Sequence, residues 1–237
     1  MAENQIIETK DTNSFGVLLL AICVLIFLMP MAAVQHPQAE ILRALIALVL
    51  LGGVFASTRR KGVLTVSVVL AVGASGTGWA ADALNNQAVS VASYILALLN
   101  IIFVIVVVSR DVLQRSHITT DAVFGGLSVF LLIGLAFMIL YGLVEYAKPG
   151  SFLIRGDMIA GSDSLTRNPA SFVHFLYFSL ITLSTVGYGD ILAVHPLAQM
   201  LAATEGILGQ LFIAVVVARL VGMQMMASQE ASAEANE

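Results

Sequence analysis

The chain has 237 residues, 59% of them hydrophobic and only 11% charged, with a mean hydropathy of +0.94; a soluble domain averages about 45–50% apolar and about 25% charged. That balance excludes a water-soluble globule, a disordered chain and a nucleic-acid binder, since a net charge of −4 offers no surface for a polyanion. The single cysteine, Cys23, excludes an intrachain disulfide, and no Cys/His cluster points to structural zinc.

The natural unit of such a chain is the membrane span of roughly 20 apolar residues. Six apolar stretches qualify: 15–34, 41–57, 62–81, 88–109, 122–144 and 196–222. All six are expected to be helices, because hydrocarbon offers no partner for free backbone groups. The first is read as a retained helix rather than a secretory signal. Its flank of Glu3, Glu8, Lys10 and Asp11 is acidic, and its apolar run is too long. The second is short, with Arg43 placed to snorkel to the headgroups. In the third, Gly73, Ser75, Gly76 and Gly78 predict close helix packing; in the fourth, Asn100 predicts a bond to a neighbouring helix.

Basic residues set the orientation. Lys10, Arg59, Arg60, Lys61, Arg110, Arg115 and Arg219 fall on one side of a six-span chain; Arg43, Lys148, Arg155 and Arg167 fall on the other. Seven against four puts both termini in the cytoplasm. The expected site is a plasma membrane, a bacterial inner membrane by the chain's compactness.

Between the fifth and sixth spans the pattern breaks. Residues 148–170 are polar and belong outside, while 171–183 are apolar but only about 13 residues long, too short to cross. Asn168 suits an N-cap and Pro169 the first helical position. The spacing predicts a short helix that enters from outside and turns back, or one lying flat at the interface. It runs directly into Thr185-Val186-Gly187-Tyr188-Gly189-Asp190. By average residue frequencies, the first five of these letters arise by chance in such a chain on the order of once in ten thousand.

The chemistry follows from the residue types. A cation that sheds water needs rings of oxygen to replace it. Backbone carbonyls of Thr185, Val186, Gly187 and Tyr188, with the Thr185 hydroxyl innermost, supply such rings if successive carbonyls point to one axis. That demands alternating backbone conformations, and Gly187 and Gly189 reach positive φ at no steric cost. This segment, from about 122 to 222, resembles the pore domain of the tetrameric potassium-channel superfamily, whose selectivity filter carries this motif. The resemblance implies an all-α membrane protein of six transmembrane helices with a re-entrant pore helix and filter. It implies a homotetramer around a central pore, because one chain supplies one quarter of each oxygen ring. It further implies passive K+ conduction, K+ bound at Thr185, Val186, Gly187 and Tyr188 below Gly189, no enzyme activity and no cofactor beyond the permeant ion. The partners implied are further copies of the chain and membrane lipid. Tyr188 is expected to point away from the axis against Tyr177 and Phe178, with Asp190 at the outer mouth.

The domain reading is a cytoplasmic tail at 1–13, a four-helix scaffold at 14–121, a pore domain at 122–223 and a second tail at 224–237. The scaffold matches a voltage sensor in helix number only. Sensing would need arginines every third residue along the fourth span, whereas Arg110 and Arg115 stand only at its inner end. In the sixth span, Glu205 is an acid in an apolar zone, and Gly206 and Gly209 are candidate gating positions. Gly209, ten residues before Arg219, is the preferred hinge, expected to stand clear of the filter.

Two other readings compete. A non-selective cation channel would share the architecture. An intramembrane aspartyl protease would use Gly187-Tyr188-Gly189-Asp190, but it needs a second carboxylate sharing a proton. No Tyr-Asp pair lies within another span.

Overall fold

The computed structural model describes residues 14–35, 61–84, 86–114, 119–154, 156–158 and 169–234. The expected second span at 41–57, the basic residues Lys10, Arg43, Arg59, Arg60, Arg115, Arg155 and Arg167, the acidic N-terminal flank and the Asn168 cap lie outside the described residues.

Among the described residues the order is α1 (Ser14–Gln35), α2 (Lys61–Leu84), α3 (Gln87–Gln114), α4 (Thr120–Ala147), β1 (Phe152–Ile154), β2 (Asp157–Met158), α5 (Pro169–Leu183), β3 (Ile191–Ala193) and α6 (Pro196–Glu234). Four of the described helices are long and apolar enough to cross a membrane, with candidate spans at Gly62–Ala81, Gln87–Gln114, Thr120–Ala147 and Pro196–Arg219. The apolar runs Phe15–Met31 and Phe172–Leu183 are shorter. α3 continues five residues beyond the expected stop at Ser109, and α6 runs unbroken through Gly206 and Gly209.

α4 is the hub, packing against α1, α3, α5 and α6. Its start is capped by Thr119, whose hydroxyl accepts the Ala122 N–H at 3.2 Å. Buried Asp121 in the same turn also accepts the Phe15 N–H at 2.9 Å, so one carboxylate ties the starts of two helices. Leu132, Leu135, Met138 and Tyr141 are fully enclosed. Lipid tails are as apolar as leucine, so within a bilayer these side chains contribute through close packing rather than water expulsion.

α2 packs along α3. The bond expected of Asn100 is there: its Oδ1 accepts from the Ser67 hydroxyl at 3.1 Å, and both residues are buried. Of the small-residue stripe, Gly78 is buried and a Cβ at Gly73 would meet Leu96 at 3.7 Å, while one at Gly76 would meet nothing within 4 Å among the described residues.

The all-α expectation needs one correction. After α4 the chain forms a three-stranded antiparallel sheet in the order β2-β1-β3. Phe152 pairs with Ala193 and Ile154 with Ile191, and Leu153 faces both Leu192 and Met158. The turn into β1 is built by Glu145, a fully buried residue of α4. Its Oε1 accepts the Gly150 N–H at 2.7 Å and its Oε2 the Phe152 N–H at 3.1 Å. The sheet thereby anchors the strand that leaves the glycine-rich segment to the end of α4.

Arg219, read in the sequence as an inner-side charge and as the basic residue ten positions after Gly209, joins α6 to α3. Its Nη1 donates to the Val112 carbonyl at 2.8 Å and its Nη2 to the Leu113 carbonyl at 2.9 Å. Those are among the carbonyls that the last turn of a helix leaves without intrahelical partners. Hydrogen bonds to a charged donor are each worth about 1.5–3 kcal/mol, less where water reaches them. Arg219→Gln is therefore expected to lower the thermal midpoint of the detergent-solubilised protein by several degrees and to speed amide exchange in the last turns of α3. Unchanged exchange there would show that the contact does not hold α6 to α3.

Candidate pore site

α5 is 15 residues long, about 22 Å at 1.5 Å per residue, well short of a roughly 30 Å hydrocarbon core. Phe172, Phe175, Leu176, Ser179 and Leu183 are buried, a helical stripe spaced three and four apart. That stripe faces α4, where Gly134 permits the approach. A Cβ there would meet Leu180 at 3.1 Å and the Ser179 hydroxyl at 3.5 Å.

The segment after α5 turns its donors back onto the helix it has just left. Ile181 O accepts the Val186 N–H at 2.8 Å and the Gly187 N–H at 3.2 Å, and Thr182 O accepts the Thr185 N–H at 2.9 Å. The sign of φ then alternates. Thr185 (+59°), Gly187 (+53°) and Gly189 (+75°) are left-handed, whereas Val186 and Tyr188 are not. The two glycines adopt what their lack of a Cβ allows. Thr185 does so against its chemistry, since a β-branched residue at positive φ is an outlier that costs of order 1–3 kcal/mol and persists only where its surroundings impose it. Part of that constraint is visible: Gln210 Nε2 of α6 donates to the Thr185 hydroxyl at 3.1 Å.

Val186 and Tyr188 are exposed in the single chain. Tyr177, the expected support for Tyr188, faces the Asp190 carboxylate, and Asp190 Oδ1 is buried with no hydrogen-bond partner among the described residues. Phe178 is buried in an aromatic cluster behind the segment, with its ring centroid 5.1 Å from Tyr141 and 5.6 Å from Phe152. The helical period turns Phe178 toward α4 and β1, roughly 100° from Tyr177. Among the described residues no ring contact joins Tyr188 to either aromatic.

The gating candidates sort by depth. α6 begins at Pro196, with His195 Nδ1 accepting the Leu197 N–H at 3.2 Å. Glu205 is fully buried between α4 and α5, where both carboxyl oxygens are engaged, by the Tyr141 and Ser179 hydroxyls. A Cβ at Gly206 would lie 3.8 Å from Thr182 O, an ordinary contact. Gly209 is different. A Cβ there would stand 2.1 Å from Leu183 O and 3.1 Å from Leu183 C. The expectation that Gly209 stands clear of the filter is thus corrected: α6 crosses the end of α5 with backbone against backbone at this residue. Sequence reasoning missed Gln210, which this crossing carries to the inner end of the segment. Its position beside Gly209 was the available signal.

Among the described residues no group of three His, Cys, Asp or Glu side chains could hold a metal ion. The oxygens on offer are backbone carbonyls and one hydroxyl.

Comparison with known proteins covers this region. Residues 129–225 match the sequence model of a family described as ion channel. Over 65 residues the chain is 35% identical to the inward rectifier potassium channel Kirbac3.1 of Paramagnetospirillum magnetotacticum, covering 27% of this chain and 20% of that protein. The chain thus spans about a fifth of the length of that curated relative. No solved structure gives a match.

Proposed function

Taking the chain, on its segment 129–225, as a membrane protein of the ion-channel family within the potassium-channel superfamily, we propose that it is a potassium-selective channel conducting passively through a backbone-carbonyl filter at Thr185–Val186–Gly187–Tyr188–Gly189. The observation that carries this reading is the alternating sign of φ along 185–189, combined with N–H groups turned back onto α5. Alternation lets successive carbonyls face one side, and spending the donors on Ile181 and Thr182 keeps N–H dipoles away from a cation. The match to an ion-channel family also sets the protease reading aside: the protein is not an enzyme.

One chain offers one strand of oxygens, so the working unit is a homotetramer, with residues 122–223 as the pore domain. The exposure pattern supports this. α6 is the least buried of the four long helices although strongly apolar, and α4 is the most buried. Val186 and Tyr188, exposed in one chain, and the unpartnered Asp190 Oδ1 find their neighbours in the adjacent copies. The protein sits in a plasma membrane with both termini in the cytoplasm.

The test is ion flux into liposomes that contain only this protein. Potassium uptake at least tenfold above sodium uptake, from a particle of four chains by native mass measurement, is the expected result. Equal potassium and sodium uptake would leave a non-selective cation channel. A monomer or dimer with full transport would point to a carrier.

Voltage should act weakly on opening. Moving one charge through the field supplies about 2.3 kcal/mol per 100 mV. Within α3, Arg110 is the sole arginine, exposed near the helix end. A steep conductance–voltage curve that flattened in Arg110→Gln would contradict this.

A further inference from the structure

The carboxyl of Glu205, on α6, meets two other helices at once, and the hydrogens there can be counted. Tyr141 Oη of α4 contacts Glu205 Oε2, and Ser179 Oγ of α5 contacts Glu205 Oε1. The same Ser179 Oγ lies 2.8 Å from the Gly134 carbonyl of α4. Three oxygen–oxygen contacts need three hydrogens. The Gly134 carbonyl has none to give, Ser179 and Tyr141 have one each, and an ionised Glu205 has none. The count is one short.

A carboxylic acid supplies the missing hydrogen. Tyr141 O–H donates to Glu205 Oε2, Glu205 Oε1–H donates to Ser179 Oγ, and Ser179 O–H donates to the Gly134 carbonyl. Every contact then holds one hydrogen and no oxygen pair is left in repulsion. The surroundings agree. Glu205 and Ser179 are 0% exposed, and among the described residues no cation is paired with Glu205. An isolated carboxylate buried without a counter-charge takes up a proton instead. The titratable group facing Glu205 is Tyr141 from α4; α5 presents only the hydroxyl of Ser179.

We propose that Glu205 is a neutral hydrogen-bond donor at physiological pH. It positions the filter by pinning the middle of α5 between α4 and α6. It touches no ion and acts through Ser179, six residues before Thr185. The proposal rests on the pore reading for its consequence, not for its chemistry. The pin is complete while the proton is held. It is lost as pH rises far enough to ionise the acid, because the donor to Ser179 disappears and an unpaired charge replaces it. Potassium flux should therefore fall on the alkaline side.

The test uses the full-length protein and two independent readouts. Infrared spectra of the parent and of Glu205→Gln, taken in detergent at neutral pH, should differ by a protonated-acid carbonyl band that fades in the parent at alkaline pH. Glutamine keeps an N–H donor for Ser179 and a carbonyl for Tyr141. Glu205→Gln should then retain parental potassium flux within about twofold and lose the alkaline decline. Glu205→Leu and Ser179→Ala should each lose tenfold or more. A carboxylate band alone at neutral pH would overturn the proposal. So would a Glu205→Gln variant that folds, by an unchanged tetramer mass, yet loses flux tenfold or declines at alkaline pH like the parent. If the protonated-acid band is present and the parent carries no potassium, the proton assignment stands and the pore reading falls.

Discussion

Gly187→Ala is expected to abolish selective potassium flux while leaving the helices folded. Gly187 sits at φ +53°, and a Cβ there would meet nothing within 4 Å among the described residues. Space in the single chain is thus not the obstacle; backbone conformation is. A left-handed non-glycine residue costs roughly 1–2 kcal/mol, hence about 4–8 kcal/mol over a ring of four. The segment already carries Thr185 in that region. A second strained residue two positions on gives the strand reason to flip the Gly187 peptide to negative φ, which breaks the alternation that aims successive carbonyls to one side. A flipped peptide also withdraws the Gly187 N–H from Ile181 O, which it reaches at 3.2 Å. Liposome flux should show potassium uptake lowered at least tenfold, or raised sodium permeability, with circular dichroism unchanged. Parental selectivity in Gly187→Ala would refute the carbonyl-ring reading at its centre.

How far the sequence carries depends on what each feature is made of. The alternating backbone was legible at Gly187 and Gly189, because a missing Cβ announces positive φ. It was not legible at Thr185, whose own chemistry argues against the conformation it takes. Helix positions were legible from apolar runs, but helix ends were less so. α3 continues through Arg110 and Asp111 to Gln114, because helices end where backbone partners run out, not where hydrophobicity does. The β1–β3 pairing joins residues some 40 apart through three-residue strands, too short for any periodicity to register. Glu205 stood out as an acid in an apolar helix, yet its partners lie 26 and 64 residues away. Spacing along a helix likewise says nothing of depth, which is why Gly209 read as a hinge.

Gly209→Ala separates those two roles. A hinge glycine replaced by alanine would lower open probability and leave ion selectivity intact, because the filter residues are untouched. The contact with Leu183 predicts more. The new methyl would need to occupy a point 2.1 Å from a backbone carbonyl oxygen, and a carbonyl fixed at the end of a packed helix cannot swing aside as a long side chain can. Overpacking of this kind costs typically 1–3 kcal/mol per site, and it would push α6 and α5 apart. The end of α5 is also where Ile181 and Thr182 hold the N–H groups of Thr185, Val186 and Gly187, and Gln210, adjacent in α6, holds the Thr185 hydroxyl at 3.1 Å. Displacement at Gly209 therefore reaches the inner oxygen ring directly. The expected outcome is loss of potassium flux together with weakened selectivity or a less stable tetramer. Gly206→Ala, whose Cβ would lie an ordinary 3.8 Å from Thr182 O, should stay within about twofold of the parent. If Gly209→Ala keeps full selectivity with reduced opening, α6 bends at this residue after all, and the close approach to Leu183 belongs to one gating state alone.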